Sequence, residues 1–215
     1  MPRLVGIFGG TFDPVHIGHT RTIAYLLDII PFEKILIIPN ALPVHKENSQ
    51  ESFQHRFKMV SMAFQCIDKT FVDEREKLRN GPSYAIDTVK EVLEEETDAK
   101  VIFIVGSDSF SEIDSWYKWE GLLSLVDFIV MKRPNHPLTR SKKAFDLINK
   151  TINIKDLVKK RKIKNIVELN VTPVTVSSSL VRQHVLEGRG VEHLVSKKVG
   201  EYLKKHNLYD SKNLP

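Results

Sequence analysis

Val5-Gly6-Ile7-Phe8-Gly9-Gly10-Thr11-Phe12-Asp13-Pro14-Val15-His16-Ile17-Gly18-His19 is the stretch on which the fold turns. It begins as an apolar run, breaks at two adjacent glycines, and resumes in the helical spacing of residues 17–30. A strand that ends in glycine and feeds a helix is the first half of a parallel crossover unit. The alternation continues along the chain. Short apolar runs at 3–8, 34–38, 70–72, 101–105, 128–131 and 166–169 alternate with helical patterns at 53–66, 84–96 and 138–147; two more follow at 178–187 and 192–206. Runs that are apolar throughout suit strands buried on both faces. The expected fold is α/β: a doubly wound parallel sheet with helices on both faces and a short C-terminal helical segment. No repeat or Gly/Ser-rich linker divides the chain. Residues 1–215 therefore read as a single domain, with a core at about 1–170 and the helical segment at about 171–215.

The 215 residues carry 32 Lys and Arg against 27 Asp and Glu, a formal charge of +5. Residues 132–164 hold twelve of those basic side chains with only Asp146 and Asp156 among them, which leaves the remainder at −5. A basic segment on a mildly acidic body is unlike a nucleic-acid coat, so no nucleic-acid partner is expected. Its densest part, 155–164, reads as a solvated helix end or surface loop. The single cysteine, Cys66, excludes an internal disulfide framework and a cysteine-based zinc site. Cys66, Phe53, Phe57 and Phe64 are expected in the core. No apolar run approaches the roughly 20 residues that span a bilayer, so no membrane partner is expected. Glycines arrive too early for a secretory leader, and the expectation is a cytoplasmic chain.

Chemistry concentrates where the first strand ends. Ligands of open parallel sheets bind beyond the carboxyl ends of the strands. Gly9 and Gly10 let the backbone approach a ligand closely, and a helix starting near His16 turns free N–H groups and a positive dipole end toward the same place. Neither the dinucleotide pattern G-x-G-x-x-G nor the phosphate loop G-x-x-x-x-G-K-[ST] occurs. His16 and His19 share a helix face. They read as ordinary first-turn histidines, as a metal pair with no nearby third ligand, or as donors to phosphate oxygens. Ser177 or Ser178 is an N-cap signal, and with Arg182 the same turn suits a phosphate. Asp108, in Gly106-Ser107-Asp108, follows a buried strand, where it either caps the next short helix or accepts from ribose hydroxyls. Trp116 alone reads as core.

The run GGTFDPVHIGH at 9–19 resembles the H-x-G-H signature of the nucleotidyltransferase superfamily and, more closely, the opening of the bacterial nicotinate mononucleotide adenylyltransferases. Further motifs match in order: Pro43-Val44-His45-Lys46, Glu74-Arg75, Pro82-Ser83-Tyr84-Ala85-Ile86-Asp87-Thr88, Gly106-Ser107-Asp108 with Trp116, Lys132-Arg133-Pro134, and Val176-Ser177-Ser178-Ser179-Leu180-Val181-Arg182. Three positions depart from the family pattern: Val44 for proline, Ala85 for threonine and Ser179 for threonine.

The resemblance implies a Rossmann-like nucleotidyltransferase domain that joins ATP to nicotinate mononucleotide. Attack is in line, with no covalent intermediate, and Mg²⁺ is carried by ATP rather than by a metal site of the chain. It implies catalytic roles for His16, His19 and Arg182. ATP is implied to meet Gly9, Gly10, Thr11, Phe12, His16, His19, Gly106, Asp108, Arg133, Ser177, Ser178 and Arg182. The mononucleotide is implied to meet Lys46, Ser83, Tyr84, Ala85, Thr88 and Trp116. A homo-oligomer is left open. The competing readings are a phosphopantetheine adenylyltransferase, a class I aminoacyl-tRNA synthetase relative, and an ATP-binding regulator that uses the basic stretch on nucleic acid. The first would lack Pro82–Thr88 and Trp116; the second would need a K-M-S-K-S loop and a longer chain.

Overall fold

The computed structural model describes residues 2–42, 51–79, 81–132, 150–151, 153–159, 165–170 and 175–210. Lys46 and Arg133, and the helix expected at 138–147, lie outside the described residues. Strands β1 (Arg3–Gly10), β2 (Lys34–Pro39), β3 (Thr70–Val72), β4 (Ala99–Gly106), β5 (Asp127–Lys132), β6 (Lys150–Thr151) and β7 (Asn165–Asn170) form one sheet. Its order is β3-β2-β1-β4-β5-β7-β6, with every pairing parallel. The chain runs outward from β1 to β3, then returns to the other side of β1 at β4. The switch point therefore lies between the carboxyl ends of β1 and β4, where Gly10 and Gly106 stand.

The expected doubly wound α/β fold is present. Helices are α1 (Ile17–Ile29), α2 (Phe53–Phe64), α3 (Arg75–Leu78), α4 (Ala85–Glu95), α5 (Ser107–Ser111), α6 (Trp119–Leu125), α7 (Ile154–Lys159), α8 (Ser178–Leu186) and α9 (Lys197–Lys205). Alternate residues of each strand serve opposite cores. Leu4, Ile35, Ile37, Ile102, Ile104, Ile129 and Val167 face a core completed by α1, α2, α7, α8 and α9. Val5, Ile7, Leu36, Ile38, Val101, Phe103, Val105, Phe128 and Val130 face one completed by α4, α5 and α6. That is why the runs are continuously apolar.

Several details differ from the sequence reading. The last helix starts at Lys197 rather than near 192, because the Ser196 hydroxyl caps it by accepting from the Val199 amide at 3.4 Å. Part of the basic stretch is not a solvated end: α7 buries Leu157 and Val158. Cys66 is exposed, one residue past the C-cap of α2, and Phe53 and Phe57 are only half-buried; Phe64 alone of that group is core. Helices α3 and α6 and strand β6 are too short to show a period.

Candidate active site

β1 ends in Gly9 and Gly10, and Phe12 then folds back with φ 49°. A non-glycine residue in that left-handed region costs about 1–3 kcal/mol unless its surroundings hold it. Here they do. The Phe12 ring is buried, edge-on to Phe8 at 5.7 Å and to His19 at 5.0 Å. A Cβ on Gly10 would lie 3.2 Å from the Phe12 ring, a tight contact that would press the ring back by a few tenths of an ångström.

His16 is the N-cap of α1, and its ring stacks on that of His19, with centroids 3.7 Å apart. The His16 amide donates to His19 Nδ1 at 3.1 Å. A neutral His19 ring therefore carries its proton on Nε2, leaving that N–H as its donor. The start of α1 offers fewer amides than its sequence suggests: the Ile17 N–H donates to the Leu194 carbonyl at 2.9 Å. Gly18 is as constrained as the histidines. A Cβ there would stand 3.0 Å from His16 Cε1 and Nδ1 and from Val176 Cγ1.

The turn between β1 and α1 is held by side chains from distant parts of the chain. Arg56 of α2, fully buried, donates from Nη1 to the Thr11 carbonyl at 2.6 Å. Arg182 of α8 donates from Nη1 to the Asp13 carbonyl at 2.6 Å, and the Ser178 hydroxyl donates to the Pro14 carbonyl at 2.8 Å. The Tyr209 hydroxyl donates to Asp13 Oδ1 at 2.6 Å. Burial pulls the Arg56 pKa down and the Asp13 carboxylate opposes it. Burial, with the same carboxylate, pushes the Tyr209 hydroxyl well above the usual phenol range, so it stays a donor.

The serine motif is also differently employed. Ser177 Oγ caps α8 by accepting from the Leu180 amide at 3.1 Å, and Ser178 Oγ is committed to Pro14. The Ser178 and Ser179 amides are the first of α8, and no helical carbonyl serves them. Asp108 lies in the first turn of α5 and does not cap it; Gly106 is the N-cap.

A second group sits at the end of β2. The Asn40 amide donates to the Gly10 carbonyl at 2.9 Å, tying this group to the glycine turn. Ser83 Oγ accepts from the amides of Ala41 and Leu42 at 2.9 and 3.0 Å. The Ser83 amide donates to the Leu42 carbonyl and the Tyr84 amide to that of Pro82, both at 3.0 Å. The helical amides left at this end are those of Ala85 and Ile86. Thr88 is buried, and its hydroxyl donates to Glu76 Oε1 at 2.8 Å. Glu76 Oε2 accepts from Asn40 Nδ2 at 3.2 Å. The quoted Glu74-Arg75 pair lies off this cluster: Glu74 is exposed, and Arg75 is paired with Asp73 and Glu95 at 2.6 and 2.9 Å. Tyr84, Ala85 and the half-buried Trp116 pack against one core, with Trp116 edge-on to Phe103 at 6.1 Å and Tyr84 stacked on Tyr117 at 4.2 Å.

Arg56 and Glu76 escaped the sequence reading. A signal existed for Arg56: it continues the buried stripe of Val60 and Phe64 at four-residue spacing.

Residues 7–184 match the cytidylyltransferase-like family model. Proteins named "probable nicotinate-nucleotide adenylyltransferase" align over nearly the full length. That of Pseudomonas paraeruginosa is 34% identical over 214 residues, covering 97% of this chain and 98% of the relative. That of Hydrogenovibrio crunogenus is 32% identical over 209 residues, covering 96% and 98%. The chain belongs to the nicotinate-nucleotide adenylyltransferase family. Solved structures agree on the fold. A Plasmodium falciparum nicotinic acid mononucleotide adenylyltransferase complexed with NaAD superposes with a TM-score of 0.75 at 20% identity, over 96% of this chain and 97% of that one. The same protein complexed with APC gives 0.73 at 20% identity. In this adenylyltransferase fold the glycine turn, α1, α5 and α8 converge at the switch point, and the α4 start lies one strand away.

Proposed function

We propose that the chain transfers the adenylyl group of ATP to nicotinate mononucleotide, giving nicotinate adenine dinucleotide and pyrophosphate. The mononucleotide phosphate oxygen attacks the α-phosphorus in line, forming the new P–O bond as the bond to the β-phosphate oxygen breaks. Such a reaction asks the protein to align two anions and neutralise charge on the leaving group. Mg²⁺ enters with the triphosphate as part of the substrate. His19 donates from Nε2 to the α-phosphate, with His16 stacked behind it. The Ser178 and Ser179 amides and Arg182 take the outer phosphates, and Arg133 adds charge. Gly9, Gly10, Thr11 and Phe12 shape the turn that receives the phosphates, while Gly106 and Asp108 face the adenosine ribose.

The mononucleotide lies toward Ser83, Tyr84, Ala85 and Trp116, with Lys46 on its phosphate. Thr88 supports this pocket from behind, through Glu76. The observation that carries the reading is the His16–His19 pair, whose geometry leaves an Nε2–H donor beside the glycine turn. The Ala85 and Ile86 amides present donors to a nicotinate carboxylate, and charge-assisted hydrogen bonds contribute about 1.5–3 kcal/mol each. An amide would set its NH₂ against those donors.

A pyrophosphate-release assay with ATP and either nicotinate or nicotinamide mononucleotide tests the proposal. The expected result is turnover with kcat/KM favouring the acid by about 10²-fold or more. Absence of turnover with both refutes adenylyl transfer; equal use of both refutes only the selectivity.

A further inference from the structure

Asp13 lies in the turn joining β1 to α1, and its carboxylate is buried. Its Oδ1 accepts from the Tyr209 hydroxyl at 2.6 Å across a separation of 196 residues. Its own carbonyl accepts from Arg182 Nη1 at 2.6 Å. Arg56, which holds the Thr11 carbonyl, is the nearest buried cation to feel the Asp13 charge. Tyr209 is itself locked: its φ is 62°, its ring is buried, and its amide donates to Glu51 Oε1 at 3.3 Å. A buried carboxylate has several ways to orient; a short bond from a rigidly held phenol selects one of them.

We infer that Tyr209 is a positioning residue for the triphosphate: through Asp13 it fixes the turn at 11–14 and the guanidinium of Arg182 in the geometry that receives ATP. Tyr209 touches no reacting atom. Its hydroxyl fixes the Asp13 side chain; the Asp13 backbone in turn fixes the Nη1 edge of Arg182, whose Nη2 reaches Ser179 Oγ at 3.4 Å beside the first amides of α8. The mononucleotide pocket at Ser83 and Trp116 hangs on β2, α4 and the segment after α5, none of which contacts Tyr209 through these bonds. The effect is therefore confined to one substrate. This inference rests on the reading of the glycine turn as the triphosphate site.

The experiment compares the unaltered chain with Tyr209→Phe, Asp13→Asn, the double variant and Tyr202→Phe, measuring KM for each substrate, kcat and Tm. Tyr202 is the control, because its hydroxyl meets His55 Nδ1 at 3.0 Å on the same C-terminal segment without reaching the turn. Tyr209→Phe is expected to raise KM for ATP roughly 5- to 20-fold with KM for nicotinate mononucleotide within about twofold, a cost of one charge-assisted bond. Asp13→Asn should do the same, and the double variant should be no worse than the more affected single one. Tyr202→Phe should lower Tm and leave KM for ATP unchanged. Should Tyr209→Phe not fold, Asp13→Asn reads the link from its other end. A lowered Tm with unchanged KM for ATP in either variant overturns the inference, as does an equal rise in both KM values. No turnover by the unaltered chain would instead overturn the assigned function.

Discussion

His19 and Gly18 carry opposite kinds of constraint at adjacent positions. On the proposed mechanism His19 supplies an N–H that acts as charge develops, and Gly18 the room its missing side chain leaves. Replacing His19 with Ala should lower kcat by about 10²-fold or more while ATP binding weakens less, because the donor mainly serves the transition state. Near-parental kcat in a folded variant would show that the ring has no such part. Gly18→Ala should unfold at about the parental temperature, since the alanine gain of up to about 1 kcal/mol within a helix offsets the crowding its methyl meets. Its methyl would nevertheless press on the His16 imidazole and Val176 from 3.0 Å, and the ring stack must shift. A loss of about tenfold in kcat without a fall in Tm is the expected signature, because small misplacements of an aligned site are costly. The motif at 9–19 made both residues visible in the sequence. It could not reveal that the Ser178 hydroxyl is already engaged, or that Asp13 looks inward, since those facts depend on contacts across more than a hundred residues.

Elements were legible in proportion to their length and burial. The six longer strands and the helices α1, α2, α4 and α8 announce themselves because continuous apolar runs and 3.6-residue stripes follow from two buried sheet faces. Short elements depend on tertiary partners, and so does the lower edge of the sheet. There Lys100, at the start of β4, pairs with Asp127, at the start of β5, at 2.5 Å; both are buried. Asp127 Oδ1 also accepts from the Asn165 amide and Nδ2 at 2.9 and 3.0 Å, and Lys100 donates to the Leu157 carbonyl at 2.7 Å. The cluster joins β4, β5, β7 and α7 at the amino ends of the strands, opposite the site. Asp127→Ala leaves a buried ammonium without its counter-charge, which costs about 3–5 kcal/mol. Thermal unfolding should fall by roughly 6–20 °C for a chain of this size. Activity well below that transition should stay within about twofold; a large loss there would mean that the cluster reaches the site.

At the scale of the molecule, the glycine turn is contacted from α2, α8 and the residues after α9, so ligand binding should be felt in all of them. MgATP at about 100 times its Kd stabilises the folded state by about 2.7 kcal/mol. Hydrogen exchange should show added protection at residues 207–210 and at the start of α8, not only at 9–19. Protection confined to 9–19 would show that the bracing side chains do not report on the ligand. The Tyr209–Asp13 bond also bears on synthesis. Chains emerge from the ribosome amino end first, and domains begin to organise as they appear. The glycine turn is made 196 residues ahead of its partner at 209. A growing chain can complete every strand of the sheet and still hold this turn without its final brace. On the proposed role of this bond, competence to handle the nucleotide waits for residue 209 rather than for the assembly of the sheet.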